Sequence, residues 1–410
     1  MSGKGAHMTQ PRAKLVAGPL EPYVGGFRAE LENLGYSPWR ARLRIWLVKS
    51  LSSWLAGQGL ASGELTPDRV EQFVEERRVR GYKTWISMRS MVLPVEYLRS
   101  VGAVPVPVST IAEDPVEELV TTYRRYLVEE RGLAKSTIEQ YERIGRLFLS
   151  HQLDLRAVEL GCLSAADVTM FVGRECPRRS TPSAKYLVAG LRAVLRYLYV
   201  AGLTNTSLAA AVPSVAGWSL SSLPRGINAA LVKRLLASCD RRRVVGRRDY
   251  AILTLLVRVG LRSAEVAALE LDDLDWHRGE VLIRGKGDRH ERLPLPADVG
   301  EALVAYLRLP RWCPGGCRRV FLRVIAPWGG LAARGVQGVV HDACVRAGLP
   351  RVGAHRLRHT AATELLRAGA SLPEVAQVLR HRRLETTAIY AKVDCNALRR
   401  LAQPWPGALP

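Results

Sequence analysis

In LGYSPWRARLRIWLVKSLSSWL (Leu34–Leu55) the apolar residues Leu43, Leu47 and Leu51 recur at four-residue intervals, the spacing of one helix face. The same rhythm returns in RGLAKSTIEQYERIGRLFLSHQ (Arg131–Gln152) with Ile144, Leu147 and Phe148. LTPDRVEQFV (Leu65–Val74) parallels LSAADVTMFV (Leu163–Val172), and YLRSVGAV (Tyr97–Val104) parallels YLYVAGLT (Tyr197–Thr204). The offsets stay nearly constant: 97 from Gly35 to Gly132, 98 from Phe73 to Phe171, 100 from Tyr97 to Tyr197. A steady offset predicts a duplicated all-α unit, each copy a bundle of about four helices. Thr66 and Ser164 are the expected N-caps. Pro94 falls inside the last helix of the first copy, where a kink is expected.

Beyond these copies the pattern changes. DYAILTLLVRVG (Asp249–Gly260) predicts an apolar helix. GEVLIRGKGDRHERLPLP (Gly279–Pro296) alternates with period two, which predicts two or three short antiparallel strands turning at Gly285-Lys286-Gly287-Asp288. Helices are predicted at 297–307, 337–347, 355–368 and 373–380, the last opened by Ser371 and Glu374 as a capping box. The Pro-rich stretch 104–115 and the Ser/Gly/Pro-rich stretch 212–226 read as linkers. The resulting plan is a tail at 1–20, helical domains at 21–103 and 116–211, a mixed α+β domain at 227–398 and a tail at 399–410. The fold class is mainly α with one small antiparallel β-sheet.

Charge narrows the partner. Sixty Lys and Arg face 38 Asp and Glu, a formal net charge of +22 that attracts polyanions, nucleic acid foremost. Nine of the sixty are lysine and 51 arginine, so codon bias contributes to the arginine but not to the excess over acids. The longest apolar run, Tyr250–Leu261, is interrupted by Arg258 and too short to span a bilayer. The first twenty residues hold no apolar leader segment, and seven scattered cysteines form no disulfide framework, so a reducing, cytoplasmic, nucleoid-associated setting is expected. Cys313 and Cys317 flank a Pro-Gly-Gly turn, and only His341 and Cys344 are near enough in sequence to complete a metal site, so a tight turn is expected there. Glu270, Asp272, Asp273 and Asp275 read as a solvated acidic turn, and no phosphate-binding Gly-rich loop occurs; neither metal nor nucleotide cofactor is expected.

Four short stretches carry candidate chemistry. In GLRSAEVAAL (Gly260–Leu269), Arg262 sits at a helix junction with Ser263 as the expected cap, a place that favours an anion. Lys286 tips the hairpin between two glycines. In AHRLRHTAATELL (Ala354–Leu366), His355, Arg358 and His359 share one helix face, a poor core and a good phosphate cradle. In HRRLETTAIYAKV (His381–Val393), His381 ends a helix, where the dipole favours its protonated form, and Thr386 or Thr387 caps a short helix bearing Tyr390. Alone, Tyr390 reads as core.

Taken in order, Arg262, Lys286, His355, Arg358, His381 and Tyr390 make a chain that resembles the tyrosine recombinase (phage integrase) family. The matching stretches are G-L-R-S-x-E, a G-K-G hairpin with Arg292 downstream, H-x-L-R-H-T, and L-x-H followed by T-T-x-x-Y. The resemblance covers 227–398 as a catalytic domain and 116–211 as a core-binding helical domain. It implies site-specific DNA strand exchange by an integrase or transposase-like recombinase, through a 3′-phosphotyrosyl intermediate. Tyr390 is the implied nucleophile, His355 the proton acceptor and Lys286 the acid for the 5′ oxygen. Arg262 and Arg358 hold the phosphate, His381 bonds it, and Glu265 orients Arg262 or another basic partner. The implied partners are double-stranded DNA, a tetramer of protomers on synapsed sites, and accessory recombinases; the apolar tail residues Leu398, Leu401 and Trp405 suit docking on a neighbouring protomer. Two features depart from the family: Arg380 stands where a glycine is usual, and the helical copy at 21–103 is additional. These departures keep two alternatives open, a catalytically silent DNA-binding protein and a type IB topoisomerase-like relaxing enzyme.

Overall fold

In a computed structural model of the chain, residues 17–105, 115–155, 160–216, 226–285, 290–310, 316–381 and 386–393 are described. Lys286, Cys313 and the C-terminal tail, on which three of the expectations above fall, lie outside them.

Helices α1 (Val24–Asn33), α2 (Pro38–Gly57), α3 (Pro67–Val79) and α4 (Met88–Ser100) form the first bundle. Leu47, Leu51 and Leu55 of α2 meet Phe27, Leu31, Phe73 and Leu98 in its core. Proline opens α2 and α3, where its missing N–H costs no hydrogen bond. Thr66 caps α3, its hydroxyl accepting the Arg69 N–H at 3.4 Å. Pro94 is buried inside α4. The second bundle repeats the plan with α5 (Pro115–Glu129), α6 (Lys135–Leu155), α7 (Ala165–Glu175) and α8 (Thr181–Val200). Its core has Phe148 edge-on to Phe171 at 5.1 Å. Ser164 and Asp167 satisfy each other's backbone N–H groups at the start of α7.

The third region holds α9 (Ala229–Ala237), α10 (Val244–Thr254) running into a π-helical turn at Leu255–Val259, and α11 (Ser263–Ala268). A three-stranded antiparallel sheet follows in the order β1 (Leu274–Asp275), β2 (Glu280–Arg284), β3 (His290–Pro294). Val281 opposes Leu293 and Ile283 opposes Glu291; Val281 and Ile283 are buried while Arg284 is exposed, as the alternation requires. Helices α12 (Ala297–Leu307), α13 (Ala333–Arg346), α14 (Ala354–Arg367) and α15 (Leu372–Val378) and a 3₁₀ turn at Ala388–Val393 complete it. Among the described residues, no helix is long and apolar enough to cross a membrane.

Two compact units result, one joining Met1–Val106 with Ser222–Pro410, the other Pro107–Ser221. Within the first unit, the α1–α2 turn meets a loop of the third region. The Trp328 N–H donates to the Leu34 carbonyl at 2.9 Å, the Trp328 ring lies over Gly35, and Ala326 packs against the bundle's core. Gly35 has φ +81°, a conformation side chains resist, and an added Cβ would run into the indole. Gly35→Ala should therefore lower unfolding free energy by about 1–2 kcal/mol from the backbone alone, and by more from displacement of Trp328. Urea unfolding checks this; a variant as stable as wild type contradicts the contact.

Candidate active site

The site is assembled where three chain turns meet the N-terminal half of α14. The first turn follows the π-helical segment. Gly260 takes φ +66°, and a Cβ there would sit 2.7 Å from Leu379 and 3.3 Å from Ala361, so only glycine fits. The chain then extends through Arg262, which takes the N-cap position of α11 that the sequence assigned to Ser263. Capping falls to Glu265, whose carboxylate accepts the Arg262 N–H at 2.8 Å and its guanidinium at 2.6 Å.

Glu265 has a second arginine. Arg380 lies just beyond α15 with φ +56°, the left-handed region a glycine would occupy without strain. Its guanidinium turns inward, reaching Glu265 Oε2 at 2.7 Å and the Val378 carbonyl at 3.0 Å. Both side chains of this pair are about 95% buried (4% and 5% exposed). Burial alone would raise the Glu265 pKa, but the Arg380 charge, then the hydrogen bonds and charge of Arg262, hold it below the usual carboxylate range.

Arg358 corrects the expectation of an open phosphate cradle on α14. It is 2% exposed, and its guanidinium donates to the Gly260 carbonyl at 2.6 Å and to the Leu379 carbonyl. Burial, then the neighbouring Arg262, pushes its pKa down to about 10. One helical turn apart on the same helix, the His355 and His359 rings meet edge to face at 4.4 Å. His355 is exposed; burial, then Arg358 and Arg262, lowers its pKa.

Tyr390 rides on the 3₁₀ turn and packs with Ala362, Leu366, Val375 and Leu379. It is 1% exposed, and burial raises its pKa to about 12. Its hydroxyl lies 2.7 Å from His359 Nδ1. The His381 ring lies parallel to the Tyr390 ring at 6.4 Å, and its Nδ1 is 2.7 Å from the Thr387 hydroxyl. Thr387 thus holds His381 and, through its carbonyl, the Tyr390 N–H at 2.9 Å. His381 is not the dipole-stabilised cation the sequence suggested. Burial, then Arg358 and Arg262, pushes its pKa down to about 4, so it is neutral at pH 7.

Arg262, Glu265, His355, Arg358, His381 and Tyr390 are therefore brought together. Two further members were not selected from the sequence. His359 was legible as a face-mate of His355, and Arg380 as a glycine position filled by arginine. Arg292 lies 3.6 Å from Glu280 and 3.9 Å from Asp275. The acidic turn is not simply solvated either: Asp273 is buried, and Arg284 binds it at 2.8 Å and Glu270 at 3.0 Å, while Arg318 binds Asp272. Around the site, three guanidiniums (Arg262, Arg358, Arg380) surround the carboxylate of Glu265, with Glu291 also acting on Arg380, an excess of positive charge that an anion would balance.

Comparison with known proteins identifies the family and the fold. Residues 226–396 match the Phage integrase family. A putative integrase/recombinase, y4rA, of Sinorhizobium fredii is 42% identical over 398 residues, covering 95% of each chain. Tyrosine recombinase XerD of Mycobacterium tuberculosis is 32% identical over 313 residues, covering 70% of this chain and 96% of XerD. In fold, XerH site-specific recombinase bound to its palindromic difH substrate is similar with a TM-score of 0.58 at 20% identity, covering 82% of this chain and 94% of that one.

Two outcomes test the site's electrostatics. Arg380→Met keeps bulk but leaves Glu265 one partner short, so at pH 7 it should cost about 3 kcal/mol, the low end for breaking a buried pair. That penalty should shrink as pH falls through the ordinary carboxylate range and Glu265 takes a proton; a pH-independent loss in urea unfolding contradicts the pairing. The depressed pKa of His381 stabilises the fold fully above about 6.5, and that contribution is lost as pH falls towards about 4, because the unfolded chain binds the proton first. His381→Asn should therefore flatten the stability profile between those limits, read as thermal midpoint against pH.

Proposed function

We propose that this chain, which belongs to the phage integrase family of tyrosine recombinases and is a site-specific DNA recombinase, cuts and rejoins DNA through a 3′-phosphotyrosyl link on Tyr390. The observation that carries this reading is the convergence of Tyr390, three histidines and three guanidiniums on one anion-seeking site. In cleavage the Tyr390 oxygen attacks phosphorus, the P–O5′ bond breaks, and the 5′ oxygen leaves with a proton. The pentavalent transition state gains negative charge on its non-bridging oxygens. Arg262, half exposed and anchored by Glu265, reaches one of them. Arg358 meets the phosphate with the N–H groups its two carbonyl bonds leave free. His355 and His381 flank the phosphate, and Lys286 supplies the proton to the 5′ oxygen. One phosphoester replaces another, so the exchange is close to isoenergetic and runs without a nucleotide.

The DNA is double-stranded, and its backbone is the main target of the +22 charge. Exchange between two duplexes calls for four protomers, one per strand cut, which is the basis for a tetramer on synapsed sites.

A nicked suicide duplex of the DNA flanking the gene should trap wild type as a covalent adduct. Tyr390→Phe should bind it equally and form none. Arg262→Ala should cleave about 10²–10³-fold more slowly, the cost of one preorganised donor to a developing oxyanion. Plasmid relaxation without a specific site would instead mark a topoisomerase, and sound binding by wild type without an adduct would mark a silent binding protein.

A further inference from the structure

The resemblance to the family makes His355 the proton acceptor, yet among the described residues the imidazole that touches the phenol is His359. His359 Nδ1 lies 2.7 Å from the Tyr390 oxygen, and the two rings are tilted at 60° with centroids 5.5 Å apart. His355 makes its closest ring contact with His359 instead, at 4.4 Å. We propose that His359 is a catalytic residue that takes the phenolic proton of Tyr390 during cleavage and returns it during rejoining. The proposal rests on Tyr390 being the nucleophile.

Three observations fit it. First, His359 follows Arg358 directly on α14, so the group that holds the phenol and the group beside the phosphate are fixed by one helix. Second, the direction of the hydrogen bond follows from the protonation states. Burial keeps the phenol protonated, with a pKa of about 12, so the O–H donates. Burial, then His355, Arg358 and Arg356, holds His359 neutral with a pKa of about 4, so Nδ1 accepts and the ring proton sits on Nε2. Third, Tyr390 is wedged between two imidazoles with different tasks. His381 lies parallel to its ring and is bonded to Thr387, while His359, among the described residues, addresses its oxygen.

The proton count closes. As the O–P bond forms, the phenolic proton passes to Nδ1, and His359 becomes an imidazolium balanced by the charge of the bound phosphate. P–O5′ breaks and the 5′ oxygen is protonated by the acid on the other side. In rejoining, the 5′ hydroxyl gives its proton back to the group that supplied it and attacks phosphorus, the phenolate leaves, and His359 returns the phenolic proton.

The test uses full-length protein and the suicide duplex that traps wild type, in single-turnover cleavage. His359→Ala should bind the duplex within about threefold of wild type and cleave about 10²–10⁴-fold more slowly, the range for loss of a positioned proton acceptor. Its residual rate should rise about tenfold per pH unit, as hydroxide takes over, where wild type is flat, and added imidazole should restore part of the rate. His359→Asn keeps an acceptor at the Nδ1 position but cannot take a proton; it should stay slow. Cleavage by His359→Ala near the wild-type rate, or full activity in His359→Asn, overturns the inference while leaving Tyr390 as nucleophile. No adduct from wild type overturns the nucleophile reading and this inference with it.

Discussion

Everything at the site depends on the burial of one guanidinium. Arg358 cannot be deprotonated at neutral pH, yet it is 2% exposed and, among the described residues, no carboxylate bonds it directly. A buried unpaired charge is costly unless its hydrogen bonds are met. Arg358 meets two of them with the carbonyls of Gly260 and Leu379. These belong to two segments more than a hundred residues apart, so the charge is solvated by the ends of other elements. The requirement therefore fixes geometry. Gly260 must take a left-handed turn to aim its carbonyl, and α15 must end at Leu379 to offer the other. Arg262 and Tyr390 follow those two ends in sequence, and so inherit their positions.

The same excess of charge explains the arginine at position 380. Glycine would adopt φ +56° at no cost, whereas a side chain there is strained by roughly 1–2 kcal/mol. The return is an ion pair with Glu265 at 2.7 Å inside the protein. Glu265 already serves Arg262, and by bonding both arginines it locks the end of α15 to the start of α11. A turn that glycine would reach by backbone freedom is held here by a side-chain charge.

What the sequence made legible was periodic or local. The two helical copies followed from apolar spacing, and the β2–β3 pairing followed from the alternation of Val281 and Ile283. Thr66 and Ser164 capped as their chemistry dictates. What it hid was burial and long-range partnership. Arg358 reads as surface on α14 because its carbonyl partners are 98 and 21 residues away. His381 reads as a cation because its helix end is visible but its burial, and then Arg358 and Arg262, are not. The match of His359 to Tyr390, 31 residues apart, carries no periodic signal at all. Nor does the docking of Trp328 on Gly35, which joins the first bundle to the third region.

The protonation states also account for how such a site stays quiet without DNA. With pKa values of about 4 for His359 and about 12 for Tyr390, moving the proton in the free protein is uphill by on the order of 10 kcal/mol. The phenolate is then absent, and Tyr390 as the proposed nucleophile is inert. A phosphodiester changes both sides of that balance. Its negative charge offsets Arg358, which after burial disfavours an imidazolium at both His359 and His381, so the proton affinity of the histidines rises. As the phenolic oxygen bonds phosphorus it loses its own basicity, so the proton has no reason to remain. Burial, which raises the phenol and lowers the imidazole, thus keeps the tyrosine protonated in the free protein, and the positive charge adds to this only on the imidazole side.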